Sequence, residues 1–163
     1  MRDIKFATVF PKYHPRAGEP THFIEKIWAA GFAPSGWPEF QNNFPDAVDY
    51  YYGPGYITGH HHPKTTTIRA SNHWKEGDWF QPKAWSGLPY RSKPYAFAPP
   101  LQIKKDQPFL IIKGEFIMNE KALSLSDLEE IASHDGSDNT DDFECWFNLN
   151  PGQEFKGQRI TFV

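Results

Sequence analysis

Apolar residues along this chain come in short runs, broken every few positions by proline, glycine or a charged turn. Residues 4–10 (IKFATVF) are rich in β-branched and aromatic side chains and end at Pro11, which predicts a first strand. Thr21 opens a helical pattern, THFIEKIWAAG. Thr21 is placed to cap the free amides, Phe23, Ile24, Ile27 and Trp28 share one face, and Gly31 ends the helix. Further strands are expected at 65–68, 79–85, 95–103, 109–118 and 158–163. Turn chemistry stands at 75–78, 104–107 and 150–152. Ser126-Asp127-Leu128-Glu129 reads as a capping box that opens a helix to about Ser133. The acids of 138–142 favour the start of a second short helix, with Phe143, Trp146 and Phe147 on its buried side.

From residue 32 to 63 this pattern dissolves into a segment with eight aromatics and five prolines. A stretch this long without an element of its own is uncommon in a compact domain. Its rings argue for an ordered insertion packed on the domain or over a site. The whole chain shows the same bias: 14 Phe, 7 Tyr and 6 Trp outnumber the 7 Leu, 11 Ile and 3 Val. So few aliphatics approach the range of disordered chains, but those lack aromatics and carry high net charge, whereas this chain stands at −3. The expectation is a core built from rings, with short elements between shaped loops.

That modest acidic balance gives no bulk attraction to nucleic acid or anionic lipid, so any RNA contact must rest on a local patch or on one nucleotide. No DNA-binding motif is evident. The longest aliphatic and aromatic run, 109–112, is far short of a membrane span, and 1–5 lack a signal-peptide core. Cys145 is the sole cysteine, which excludes an internal disulfide framework and fits a reducing cytoplasm. No repeat or linker divides the chain.

The densest polar cluster is Pro63-Lys64-Thr65-Thr66-Thr67-Ile68-Arg69. In a strand, Thr65, Thr67 and Arg69 point one way, and the long Lys64 side chain can fold back over Thr67. A lysine amine can serve a threonine hydroxyl as general base if burial lowers its pKa, while Arg69 can hold a carboxylate, a phosphate or a base oxygen. The same spacing also suits a threonine-rich edge strand with solvated cations at its ends.

Lys64-x-x-Thr67-Ile68-Arg69, followed by Trp74-Lys75-Glu76-Gly77-Asp78, resembles the ASCH domains of the PUA-like superfamily. The resemblance covers roughly residues 63–163. It implies an α+β fold, a PUA-like β-barrel with flanking short helices and an aromatic-rich N-terminal extension. With no linker to divide the chain, one domain is expected over 1–163, with the first strand, helix and insertion in 1–62 and the core barrel and C-terminal helices in 63–163. Within that superfamily the motif is most similar to bacterial amidohydrolases that cleave N4-acetylcytidine to cytidine and acetate. That likeness implies a Lys-Thr-Glu catalytic set, with Thr67 as nucleophile, Lys64 as its base, and Asp135, one methylene shorter, at the place of the Glu. Glu129 and Glu130 fit less well, since both sit within the capped helix. The opening, FPKYHPRAGEPTHFIEKIWAAG, instead resembles uncharacterised bacterial and phage-borne ASCH-like proteins.

The expected partner is therefore a small nucleoside-like ligand or RNA, without a cofactor. Arg69, Trp85, Tyr90 and Arg91 are the candidate substrate-binding residues, because 85–95 mixes rings with cations that could stack a base and hold a phosphate. The alternatives are a non-enzymatic RNA- or nucleotide-binding module using the same cleft, and a metal-independent ribonuclease. His60, His61 and His62 read as polar lining of the loop into Lys64 rather than as metal ligands. His14, Arg16 and Glu19 read as a turn tied by an ion pair, and Cys145 as inert.

Overall fold

A computed structural model describes residues 1–32, 42, 61–85 and 88–163. Most of the aromatic insertion expected at 32–62 lies outside the described residues. The fold is α+β, with nine strands among the described residues. They are β1 (Arg2–Phe6), β2 (Thr66–Arg69), β3 (Trp79–Trp85), β4 (Pro94–Ala96), β5 (Leu101–Gln102), β6 (Lys105–Ile112), β7 (Glu115–Met118), β8 (Lys121–Ala122) and β9 (Phe155–Thr161). Among the described residues they are accompanied by the α-helices α1 (Phe23–Ile27), α2 (Leu125–His134) and α3 (Thr140–Cys145), and by a π-helical turn, Trp28–Phe32, that continues α1. No helix among the described residues is long and apolar enough to cross a membrane.

The strands form two sheets, and the closed PUA-like barrel expected from the resemblance is not what they make. In the first sheet β3 lies between β1, to which it is parallel, and the short β4 and β5 on its other edge. In the second the order is β2-β9-β6-β7-β8, antiparallel throughout. On one side the chain passes directly between sheets: Ile103 N–H donates to the Asp78 carbonyl (2.8 Å) and Lys104 N–H to that of Thr161 (2.7 Å). Closure would need β1 to pair with β2 on the other side. There the link is a side chain, Arg69 Nη2 donating to the Lys5 carbonyl at 3.0 Å, and no ladder forms.

Several element boundaries follow from local chemistry. β1 stops at Phe6 rather than at residue 10, because the chain doubles back. Phe10 N–H donates to the Glu19 carbonyl (2.9 Å), Thr21 N–H to that of Thr8 (3.0 Å), and Thr21 Oγ1 to that of Ala7 (2.7 Å). Thr21 Oγ1 does accept from Phe23 N–H at 3.3 Å, but the cap position belongs to His22, and Gly31 (φ 112°) ends the wider turn 28–32 after α1. The strand expected at 95–103 splits into β4 and β5, since Pro99 and Pro100 have no N–H to donate. Gln81 Nε2 spans that gap to the Ala98 carbonyl at 2.6 Å. The strand expected at 109–118 is a hairpin instead. Lys113 (φ 51°) and Gly114 (φ 79°) form its two-residue turn, and the turn expected at 104–107 belongs mostly to β6. The capping box lies two residues earlier than expected. Ser124 Oγ accepts from Asp127 N–H (3.1 Å), and Asp127 Oδ2 accepts from Ser124 N–H (2.9 Å).

The core is built from rings, as the composition predicts. One cluster gathers Phe6, Phe23, Trp28, Trp74, Phe80, Phe97 and Phe162 with aliphatics between the first sheet and α1. A second packs Phe109, Ile111, Leu128, Ile131 and Phe143 between the second sheet and α2–α3, with Phe116, Phe147 and Phe155 against it. Phe109 is fully buried and meets Phe143 edge-on at 6.3 Å and Phe147 stacked at 5.9 Å. Burying one such ring contributes roughly 1.5–3 kcal/mol. The two clusters leave the unpaired β1–β2 seam between them.

Candidate active site

The seam holds the motif residues. Lys64 is among the largest fully buried side chains of the described residues, at 1% exposure. Its N–H donates to the Lys26 carbonyl in the last turn of α1 (2.8 Å), and Thr65 N–H donates to the His134 carbonyl at the end of α2 (2.9 Å). The segment entering β2 is thus strapped between two helix C-termini, whose partial negative charge favours cations. Lys64 Nζ donates to the backbone carbonyl of Asp135 and lies 3.2 Å from Asp135 Oδ1, facing the Phe23 ring at 4.5 Å. Lys26 Nζ donates to the Gly136 carbonyl at 2.8 Å, so two buried amines answer the end of α2.

Asp135 caps α2 and Gly136 leaves it in the left-handed region (φ 87°), a conformation that suits glycine. A Cβ at Gly136 would stand 3.1 Å from both Cβ and Cδ of Lys64, so the absent side chain also makes room for the lysine stem. Glu129 and Glu130 are exposed on α2, away from Lys64, as the sequence suggests.

Burial pushes the Lys64 amine down to about 8, against the pull of the Asp135 carboxylate. The same burial pushes the Asp135 carboxyl up, against Lys64, Arg69 and Arg159. An amine so placed has a usable neutral fraction near neutral pH and can take a proton. Arg69 is also lowered by burial, to about 10, and stays a cation at neutral pH. It lies 5.1 Å over the Phe6 ring. Arg69 Nε is buried without a hydrogen bond among the described residues, an uncommon condition for a polar atom in a folded interior, while Asp135 Oδ1 has the Lys64 ammonium as its partner.

Lys64, Thr67, Arg69 and Asp135 line one cavity of about 470 Å³, with Phe6, Phe23, Trp85, Tyr90, Trp146 and Phe147 among its walls. Thr67 is 4% exposed, and no hydrogen bond joins its hydroxyl to Lys64 or Asp135. Of the proposed ring contacts, Trp85 and Tyr90 lie 5.2 Å apart at the rim, with Lys5 Nζ 5.3 Å over Trp85. Arg91 does not join them. It is exposed beyond Tyr90, outside the cavity lining.

Residues 14–19 form the ion-paired turn, and its partners extend beyond what the sequence suggests. Arg16 is 2.7 Å from carboxylate oxygens of Glu19, Asp138 and Asp142. His14 is buried, with Nε2 3.0 Å from the Asp142 carbonyl and Nδ1 accepting from Arg16 N–H at 3.1 Å. Sequence reasoning missed the cavity's wall residues Lys5, Phe6, Tyr13 and Trp146. Nothing local marks them, because three elements far apart in the chain bring them together. Cys145 is half-buried, and burial pushes its thiol up, the direction of an unreactive cysteine. Comparison with protein-family models, curated proteins and solved structures finds no match to this chain.

Proposed function

We propose that the seam cavity takes a nucleoside-sized ligand and hydrolyses an amide carried on it. One observation carries this reading: a buried amine of pKa about 8, 3.2 Å from a carboxylate, lines the same cavity as Thr67 and Arg69. A volume of about 470 Å³ suits a small molecule, and ring walls suit a flat heterocycle. Thr67 Oγ1 attacks the acyl carbon as neutral Lys64 takes its proton. The C–N bond breaks, the leaving amine receives that proton from Lys64, and water then releases the acyl group from Thr67. Arg69 orients the ligand's oxygen, and Asp135 holds Lys64 in place and sets its charge.

Incubation with N4-acetylcytidine and other acylated cytidines, followed by chromatography, tests this reading. Acid release well above that of Lys64→Ala is expected, and release no greater than that variant's overturns it. The lack of a hydrogen bond between Thr67 and Lys64 favours a second reading, a nucleotide- or RNA-binding module without catalysis. Salt-sensitive RNA binding that is lost in Arg69→Ala but kept in Thr67→Ala selects it.

A further inference from the structure

A second chemical cluster lies outside the cavity, where α1 begins. His22 occupies the cap position in the left-handed region (φ 57°) and makes no side-chain cap to the helix. Its Nδ1 instead stands 3.2 Å from Glu25 Oε1, an i,i+3 pair on one helical face. His61 stacks on His22 from the segment that leads into Lys64, with ring centroids 4.6 Å apart and planes at 25°. One donor atom from each of the three residues lies within 4.8 Å of the others. The Glu25 side chain is only 5% exposed, whereas that of His22 is 38% exposed.

We propose that His22, Glu25 and His61 form a binding site for a zinc-class divalent transition-metal ion. Two imidazoles and one carboxylate are a donor set for zinc, cobalt or nickel rather than for magnesium or calcium, which prefer oxygen alone. Bonds of about 2.0–2.2 Å put neighbouring ligand atoms roughly 3.3 Å apart. The His22–Glu25 pair already has that spacing, so His61 closes by at most about 1.5 Å and turns out of its stack on His22, because an imidazole nitrogen binds a metal in its ring plane. Three protein ligands leave a further position for water. The cation would face Lys26 and Asp138, which are already paired with each other at 2.8 Å. None of the three ligands lines the 470 Å³ cavity, so the site is separate from the proposed chemistry. Its place gives it a structural role: the ion pins residue 61 to the start of α1, as the Lys64 N–H to Lys26 bond pins the segment farther along.

The test uses the full chain, free of any histidine tag and stripped with a chelator. Titration with Co²⁺ is expected to give the visible bands of a four- or five-coordinate ion at one equivalent. Zn²⁺ should displace the cobalt and raise the melting temperature. His22→Ala, Glu25→Gln and His61→Ala should each weaken Zn²⁺ by more than about tenfold, at least what loss of a supporting group around a metal costs. His73→Ala, on a distant exposed residue, should leave affinity unchanged. Absence of stoichiometric binding by the wild-type chain overturns the proposal. So does undiminished binding by His22→Ala, whose half-exposed side chain can be removed without emptying the core.

Discussion

Gly136 and Lys64 share one volume: the space a Cβ would fill at the end of α2 is taken by the lysine stem, 3.1 Å away. Gly136→Ala therefore meets a left-handed backbone together with a tight contact that the lysine stem must yield to by a few tenths of an ångström. A loss of about 1–2 kcal/mol is expected from the backbone conformation alone. Chemical denaturation should show it, and any activity should fall with it as Lys64 shifts. Gly18→Ala, also at positive φ (84°) but with nothing within 4 Å, should lose stability without losing activity.

Lys64 should govern the pH dependence. With its pKa lowered by burial to about 8, kcat/KM for an acylated cytidine is expected to rise through that pH. Lys64→Arg should lower the rate by about 10²–10⁴-fold, the usual worth of a positioned base. Stability carries the matching sign. The amine's folded pKa lies below its ordinary 10.5, so the penalty of the buried cation is fully present below about pH 8. That penalty is relieved between about 8 and 10.5, and Lys64→Met should lack this upward slope. Urea titrations across that range measure it.

Thr67 separates catalysis from binding. Thr67→Ser keeps the hydroxyl and should retain turnover, while Thr67→Ala should abolish it and leave ligand affinity within a few-fold. Equal turnover in Thr67→Ala and wild type removes Thr67 as nucleophile. Calorimetry and product release on the same preparations give both numbers.

Asp138 sets the acid limit of the fold. Burial raises its carboxyl, but hydrogen bonds from Lys26 and Arg16 outweigh that and hold it at about 2, below the ordinary 3.8. Its contribution is complete above pH 3.8 and is lost as pH falls toward 2. Asp138→Asn should cost about 1–2 kcal/mol at neutral pH, a charge-assisted bond discounted for a half-exposed carboxylate. The variant's acid unfolding curve should be flatter between pH 4 and 2.

Much of the site is legible in the sequence, because strand alternation and helix ends are local. Thr66 to Arg69 do form β2, with Lys64 just before it, and Asp135, which only the resemblance singles out, stands where the capped helix ends at Gly136. The capping box itself is ambiguous in sequence, since Ser124 and Ser126 both precede an acid at the right distance, and only packing decides between them. The Lys113-Gly114 turn is missed by the apolar pattern, which runs a single strand through 109–118. The seam is missed too. Whether β1 meets β2 by a ladder or by one arginine depends on how two sheets twist against a shared core, and no short window encodes that. Arg91 shows a related limit: a cation beside rings in sequence goes where its turn directs it, and here it lies exposed outside the cavity lining.

The parallel pairing of β1 with β3 joins two strands far apart in the chain. Its register, Arg2↔Phe80 to Phe6↔Ala84, closes a loop of about 78 residues, an entropic toll that local hairpins such as β6–β7 escape. Lys5 and Phe6, one wall of the cavity, arrive with β1. β2, which carries Thr67 and Arg69, pairs with β9 across a still wider gap, Thr66↔Thr161. In refolding, ligand binding should therefore lag behind the recovery of hairpin and helix signals, because both walls of the pocket depend on distant pairings.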